Sequence, residues 1–136
     1  RANQGSAGTS TAALTISGNG PSGIVVNVEQ WNGTGWTEIA NVNRARGNAG
    51  SGGTVTTALF FGGEPAGENT EYYDGTSWTE VANLATDRYQ ISRGNVGTAD
   101  LGICIGGTGP AGPNPILTAT EEWVLPEYVT KTFTVS

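Results

Sequence analysis

The segment RGNAGSGGTVTTALFFGG, Arg46–Gly63, decides the fold, because a version of it has already passed once: RANQGSAGTSTAALTISG runs from Arg1 to Gly18. Thr9 and Thr54, Thr11 and Thr56, Leu14 and Leu59, Ile16 and Phe61, and Gly18 and Gly63 stand 45 residues apart. A third copy, TADLGICIGG, follows at an offset of 44, setting Thr98, Ile103, Ile105 and Gly107 in the places of Thr54, Leu59, Phe61 and Gly63. A register kept at apolar and glycine positions alike is the mark of an array of structural repeats.

A second landmark follows the first. VEQWNGTGWTEIANVN (Val28–Asn43) and TEYYDGTSWTEVANLA (Thr70–Ala85) pair Glu29 with Glu71, Trp31 with Tyr73, Gly33 with Gly75 and Trp36 with Trp78, each 42 residues apart. TEEWVLPEY, from Thr120, keeps only the start, with Glu121 and Trp123 in the places of Glu71 and Tyr73. The runs around these landmarks are short, rich in Val, Ile, Thr and Phe, and punctuated by Gly, and no stretch carries an apolar stripe at helical spacing. The chain is therefore predicted to be all-β, with strands near Ala12–Ile16, Val55–Phe61 and Leu101–Ile105 at equivalent places in successive units. Asn32-Gly33 and Asp74-Gly75 supply left-handed residues for tight hairpins, Trp31 to Trp36 and Tyr73 to Trp78. About four short strands in roughly 45 residues is the size of one β-propeller blade. Three such units fill 1–43, 44–86 and 87–136.

A Gly-Gly after an apolar strand, then Glu-x-Tyr-Asp-Gly, a Trp five residues beyond the aromatic, Asn-Leu, and an Arg ahead of the next apolar strand together resemble the kelch motif. The second unit shows it in order as FFGG, EYYDGTSW, NL and Arg88, while the WD-type alternative lacks its marks, for neither Trp-Asp nor His occurs. The wording GTxTxAL…GG and TEYYDGTSWTEVANL is similar, more narrowly, to kelch-like repeat proteins encoded by phages of marine and other aquatic bacteria. The resemblance implies kelch-like propeller blades in which Gly18, Gly63, Gly107, Trp31, Trp36, Tyr73, Trp78 and Trp123 are structural. The regular placement of Trp36 and Trp78 reads as a pair of wedges buried between blades.

The units also differ. Ser17-Gly18-Asn19-Gly20 stands for the clean Gly-Gly in the first, and the third carries GTGPAGPNPILT, where Pro110, Pro113 and Pro115 are expected to hold an extended loop. VLPEYVTKTFTVS replaces the last hairpin. Closed propellers have about four to eight blades, so three are expected to be a partial propeller, completed by blades elsewhere in a longer chain or by another copy in an oligomer. The lack of any Met points likewise to a processed protein or part of a longer array. An uncovered first blade is expected to leave Leu14 and Ile16 open to water. The terminal KTFTVS, with Phe133 and Val135 on one face, is expected to serve as a last strand or to exchange into a neighbouring chain.

Of 136 residues, 36% are hydrophobic, 13% are charged and 22 are Gly; 6 basic against 12 acidic side chains leave a net charge of −6 with no His. That balance argues against nucleic acid and an anionic membrane surface as partners, and no apolar run is long enough to span a bilayer. Without His, a Ser-His-Asp triad, a Cys-His pair, His-based metal sites and a copper-radical oxidase are excluded. The lone Cys104, within ICI, reads as a small buried hydrophobe. Glu121-Glu122, and Glu68 with Glu71, read as solvated edges and not as a glycosidase pair. Because Glu29, Glu71 and Glu121 recur with the repeat, a structural pairing with the recurrent Arg1, Arg46 and Arg88 is also expected. Asn32-Gly33-Thr34 reads as a turn, since its counterpart Asp74-Gly75-Thr76 accepts no glycan.

No catalytic residue, metal or cofactor is thus assigned. Repeat proteins carry binding surfaces on the loops that vary, which selects Asn19, Ser22, Glu64, Asn69, Thr108, Pro110, Pro113 and Asn114. The expected function is a non-catalytic virion module, a tail-fibre, appendage or capsid-decoration protein. Its expected partners are other virion proteins, copies of itself, or a host-surface glycan or receptor. The alternatives are a bacterial secreted or surface kelch protein that binds glycan, or an accessory to a carboxylate-based glycosidase.

Overall fold

The computed structural model describes residues 1–91, 97–110 and 115–124, together with the backbone of 129–134. Every regular element among them is a strand. In the first unit β1 (Gly5–Gly8) turns into β2 (Ala13–Ile16). A two-residue pair, β3 (Asn19–Gly20) and β4 (Gly23–Ile24), decorates the connection onward to β5 (Val28–Trp31) and β6 (Trp36–Ile39). The second unit runs β7 (Gly50–Gly53), β8 (Ala58–Phe61), β9 (Thr70–Tyr73) and β10 (Trp78–Val81); the third runs β11 (Gly97–Thr98), β12 (Leu101–Ile105), β13 (Ala119–Val124) and β14 (Val129–Thr134). Each unit is one four-stranded antiparallel sheet whose spatial order follows the chain. The terminal strand stays in its own sheet, pairing Thr120 with Phe133 and Val124 with Val129. The side chains of Phe133 and Val135 lie outside the described residues.

Strand alternation sorts side chains onto two faces, and the faces of successive sheets pack on each other. Ala58, Phe60, Tyr73 and Trp78 leave one face of the second sheet and meet Ala7, Leu14, Ile16 and Val28 of the first. Leu59 and Phe61 leave the opposite face and meet Cys104 and Trp123 of the third. Burying a Leu, Ile or Phe side chain contributes about 1.5–3 kcal/mol, so these two seams hold the stack together. The second seam is close-packed, with a void of only about 10 Å³ between Leu59, Phe61, Leu84, Cys104 and Trp123. Leu14 and Ile16, expected to face water, are instead buried, because they point toward the second sheet and not away from it.

The first strands of successive sheets lie against one another, which explains the glycine at Gly5. A Cβ on Gly5 would sit 2.9 Å from the Phe60 ring of the next sheet, while one on Gly50 would sit only 2.2 Å from Phe61, its partner in its own sheet. Between them the Ser51 hydroxyl accepts the Ser6 N–H and donates to the Ser6 carbonyl, both at 2.8 Å. The second strand of the middle unit begins at Ala58 and not at Val55. Thr54 to Thr57 form a turn instead, in which the Thr54 hydroxyl accepts the N–H groups of Thr56 and Thr57 at 3.2 Å. The Asn-Gly and Asp-Gly hairpins are four residues long, and only the Gly is left-handed (Gly33 φ 93°, Gly75 φ 96°). Asn32 Oδ1 accepts the N–H groups of Thr34 and Gly35, and Asp74 Oδ1 those of Thr76 and Ser77. The latter bonds hold the Asp74 carboxyl below the ordinary carboxylate range.

The Gly-Gly landmark is a pair of left-handed residues: Gly62 and Gly63 at φ 64° and 87°, Gly106 and Gly107 at 63° and 93°. In the first unit Ser17 takes the first of these places at φ 54°, with Gly18 at 91°. Its hydroxyl repays the strain by accepting the buried Arg46 N–H at 2.8 Å and donating to the Val25 carbonyl at 2.6 Å. Ser17→Ala keeps the left-handed backbone but orphans both groups, so a loss of about 1–3 kcal/mol is expected in chemical denaturation. A loss under about 0.5 kcal/mol would contradict this account.

Candidate functional site

The variable connections that join the second to the third strand of each unit occupy one rim of the stack. They start from matching residues, after Ile16, Phe61 and Ile105, and each left-handed pair leads to a matching bridge: Asn19 with Ala2, Glu64 with Gly47, and Thr108 with Tyr89. Backbone bonds then step from unit to unit along this rim, from Gly18 N–H to the Arg46 carbonyl at 3.0 Å and from Gly63 N–H to the Arg88 carbonyl at 2.8 Å. Asn19, Glu64 and Thr108 are thus one recurring position on a rigid frame. Asn19, Ser22, Glu64 and Pro110 are exposed, and Thr108 is half-buried. Pro113 and Asn114 lie outside the described residues. The two ends of the proline-rich connection meet, with Gly109 N–H on the Pro115 carbonyl at 3.0 Å and Thr108 bridged to Ile116; the extended loop expected between them lies outside the described residues.

Asn69 does not belong with these surface residues. It is buried, and its amide donates to Glu80 as the Asn27 amide donates to Glu38 in the first unit. The signal was available in the sequence, because Asn-x-Glu occurs in both units, at Asn27–Glu29 and Asn69–Glu71. Beside Asn69 a polar groove of about 310 Å³ opens between Arg44, Glu68, Glu80, Asn83 and Asp87.

Beneath the rim lie the recurrent ion pairs. The Arg46 guanidinium donates to the carbonyls of Gly62 (3.1 Å), Phe60 (3.3 Å) and Asn69, and to Glu71 Oε1 at 3.1 Å. Glu71 in turn accepts the Asn43 N–H at 2.7 Å and the Arg44 N–H at 3.2 Å, both from the segment that leaves the preceding sheet. Arg88 repeats this with the carbonyls of Gly106 and Ala119 and with Glu121, which accepts the Ala85 N–H at 2.7 Å. Arg1 repeats it with the Asn27 carbonyl and Glu29, 2.7 Å away, in an exposed setting. Arg46 and Arg88 therefore tie the end of a second strand to the start of a third, Arg1 reaches only the latter, and Glu71 and Glu121 tie their corners to the previous sheet. Burial pulls the Arg46 guanidinium down to about 10, opposed by Glu71, so it stays a cation at neutral pH. The solvated-edge reading fails for Glu71 and Glu121, which are fully buried in these clamps.

The other chemistry-bearing groups have structural places too. Cys104 is buried in the second seam, and burial pushes its thiol up to about 12, which leaves no thiolate at neutral pH. Trp78 is a buried wedge, 6% exposed, but its counterpart Trp36 is 52% exposed. The expectation for Trp36 fails because, among the described residues, no sheet lies on the outer face of the first unit, where it leans on Trp31 with ring centroids 5.6 Å apart. Among the described residues no group of three or more Asp, Glu, His or Cys is placed to hold a metal, and no helix is long and apolar enough to cross a membrane.

The sequence matches no protein-family model and no curated protein. The backbone does match solved structures. One is YjhT, with a TM-score of 0.75 and 14% identity over 97% of this chain and 45% of that one. At that identity the likeness shows the fold alone, an all-β, propeller-like stack of sheets. The chain spans less than half the length of that structure.

Proposed function

We propose that this chain is a non-catalytic structural and adhesive module built of kelch-like propeller blades, carried on a virion as a tail-fibre, appendage or decoration component. The observation that carries the reading is the division of labour at the rim. The acids that recur with the repeat are engaged by Arg within the clamps, and the residues that vary stand outside, anchored by backbone bridges at one level. A rigid row of short, irregular, polar connections suits recognition of an extended surface, either a neighbouring subunit or a host glycan. The groove beside Arg44 and Glu68 offers both a cation and carboxylates to sugar hydroxyls. The wording of the repeats supports the virion setting.

The test is adsorption of the purified protein to host cells and to a glycan panel, beside a variant carrying Asn19→Lys, Glu64→Lys and Pro110→Lys. All three positions are exposed, so the variant should fold as the parent does. At least about a tenfold loss of binding is expected if this rim makes the contact. Unchanged binding by the folded variant, or polysaccharide turnover abolished by a single Glu substitution, would overturn the proposal.

A further inference from the structure

The two seams inside the chain obey one rule. The face of a sheet that bears Leu14 and Ile16, or Leu59 and Phe61, receives from the next sheet the face that bears Phe60, Tyr73 and Trp78, or Cys104 and Trp123. Among the described residues one face of each kind is left open, at opposite ends of the stack. On the first sheet Ala13, Thr15, Trp31 and Trp36 occupy the places that Ala58, Phe60, Tyr73 and Trp78 fill in the buried seam. On the third sheet Ile103 and Ile105 occupy the places of Leu59 and Phe61. The cost is visible in exposure: Ile105 is 51% exposed against 5% for Phe61, and Leu101 beside it 57%. The clamps tell the same story, since Glu71 and Glu121 each accept an N–H from the preceding sheet's outgoing segment. Among the described residues Glu29 accepts only from Arg1.

We infer that the open face of the first sheet receives the open face of the third sheet of a second copy of this chain, so that two chains close one ring head to tail. The occupant follows from continuity with the existing seams, because the third sheet ends in the face type that the first sheet lacks. Against Trp31 and Trp36 it would set Leu101, Ile103 and Ile105, an apolar trio facing an aromatic pair. The groove of about 320 Å³ beside Trp36, Thr15, Gln4 and Glu29 is the space that such side chains would enter. Closed propellers have about four to eight blades, and two sets of three sheets fall within that range. A two-fold axis gives two identical seams, each a continuation of those within the chain. The inference rests on the propeller reading above but not on what the rim binds.

Sedimentation and light scattering of the 136-residue chain test it. A particle of twice 13.9 kDa is expected. Trp36→Glu and Ile105→Lys should each weaken self-association by about a hundredfold or more. Both sites are exposed in the single chain, so circular dichroism and unfolding of the separated chains should be unchanged. Mixing the two variants should restore a dimer, since one seam is then wild type and the other juxtaposes opposite charges. A monomer at every concentration tested, an open-ended polymer, or dissociation by Trp36→Glu but not by Ile105→Lys would overturn head-to-tail closure. Host binding that persists in a monomer would leave the adhesive reading standing.

Discussion

Arg46→Met is expected to cost about 3–5 kcal/mol of folding stability, a large share of the roughly 5–15 kcal/mol that a domain holds. Met matches the reach of the side chain across Phe60, over which the guanidinium sits 4.3 Å from the ring centroid, so packing is largely kept. What is lost is the donor set. The carbonyls of Gly62, Phe60 and Asn69 lose their guanidinium partner, and Glu71 keeps its charge in a fully buried place with only neutral N–H donors. An uncompensated buried charge, and not the Coulomb energy of the pair, sets the size of the effect. Arg1→Met provides the control: its partner Glu29 has a side chain 37% exposed, so water replaces the cation and a loss under about 1 kcal/mol is expected. Urea denaturation of both variants checks the contrast. Equal losses would show that the depth of the clamp is not what matters. Glu71→Gln combined with Arg46→Met should lose less than the sum of the two single changes, because the double variant leaves no lone charge.

The clamp was legible in the sequence because its two members recur in register, Arg1, Arg46 and Arg88 with Glu29, Glu71 and Glu121, and repetition turns a chemical possibility into a geometric rule. Four strands to a unit and the positions of β2 and β12 were legible for the same reason. Asn69 was misjudged because it lies inside a connection that differs between units, and the variation hid its recurrence with Asn27. Leu14, Ile16 and Trp36 were misjudged through a subtler failure. Alternation says which residues share a face but not which face of a sheet meets a neighbour, and that choice is made by the twist and handedness of the stack. The start of β8 moved from Val55 to Ala58 because the Thr54 hydroxyl, accepting the Thr56 and Thr57 N–H groups, offered the backbone a turn in competition with the strand.

Trp78→Ala is expected to cost about 3–5 kcal/mol and to lower Tm by roughly 10–20 °C. The ring stacks on Tyr73 with centroids 5.0 Å apart and meets Phe60 edge-on at 6.4 Å, within the first seam. Its removal leaves a cavity between two sheets whose backbones are fixed by Arg46 and by Asn43, whose amide donates to the Trp78 carbonyl at 3.0 Å. The site cannot easily collapse. Trp36→Ala removes the same residue type from the same place in the repeat, yet in the isolated chain it removes an exposed ring and should cost under about 1 kcal/mol. The two Trp therefore separate intrinsic stability from assembly. If a second copy covers Trp36, the penalty of Trp36→Ala must grow with protein concentration, since binding to the folded state adds stability by mass action. The penalty of Trp78→Ala, set inside one chain, should persist at high dilution. Thermal melts of both variants across a hundredfold concentration range, about the span over which a linked dimer shifts Tm measurably, read this difference directly. A Trp36→Ala penalty as large as that of Trp78→Ala at the lowest concentration would mean that the outer face of the first sheet is already covered within a single chain.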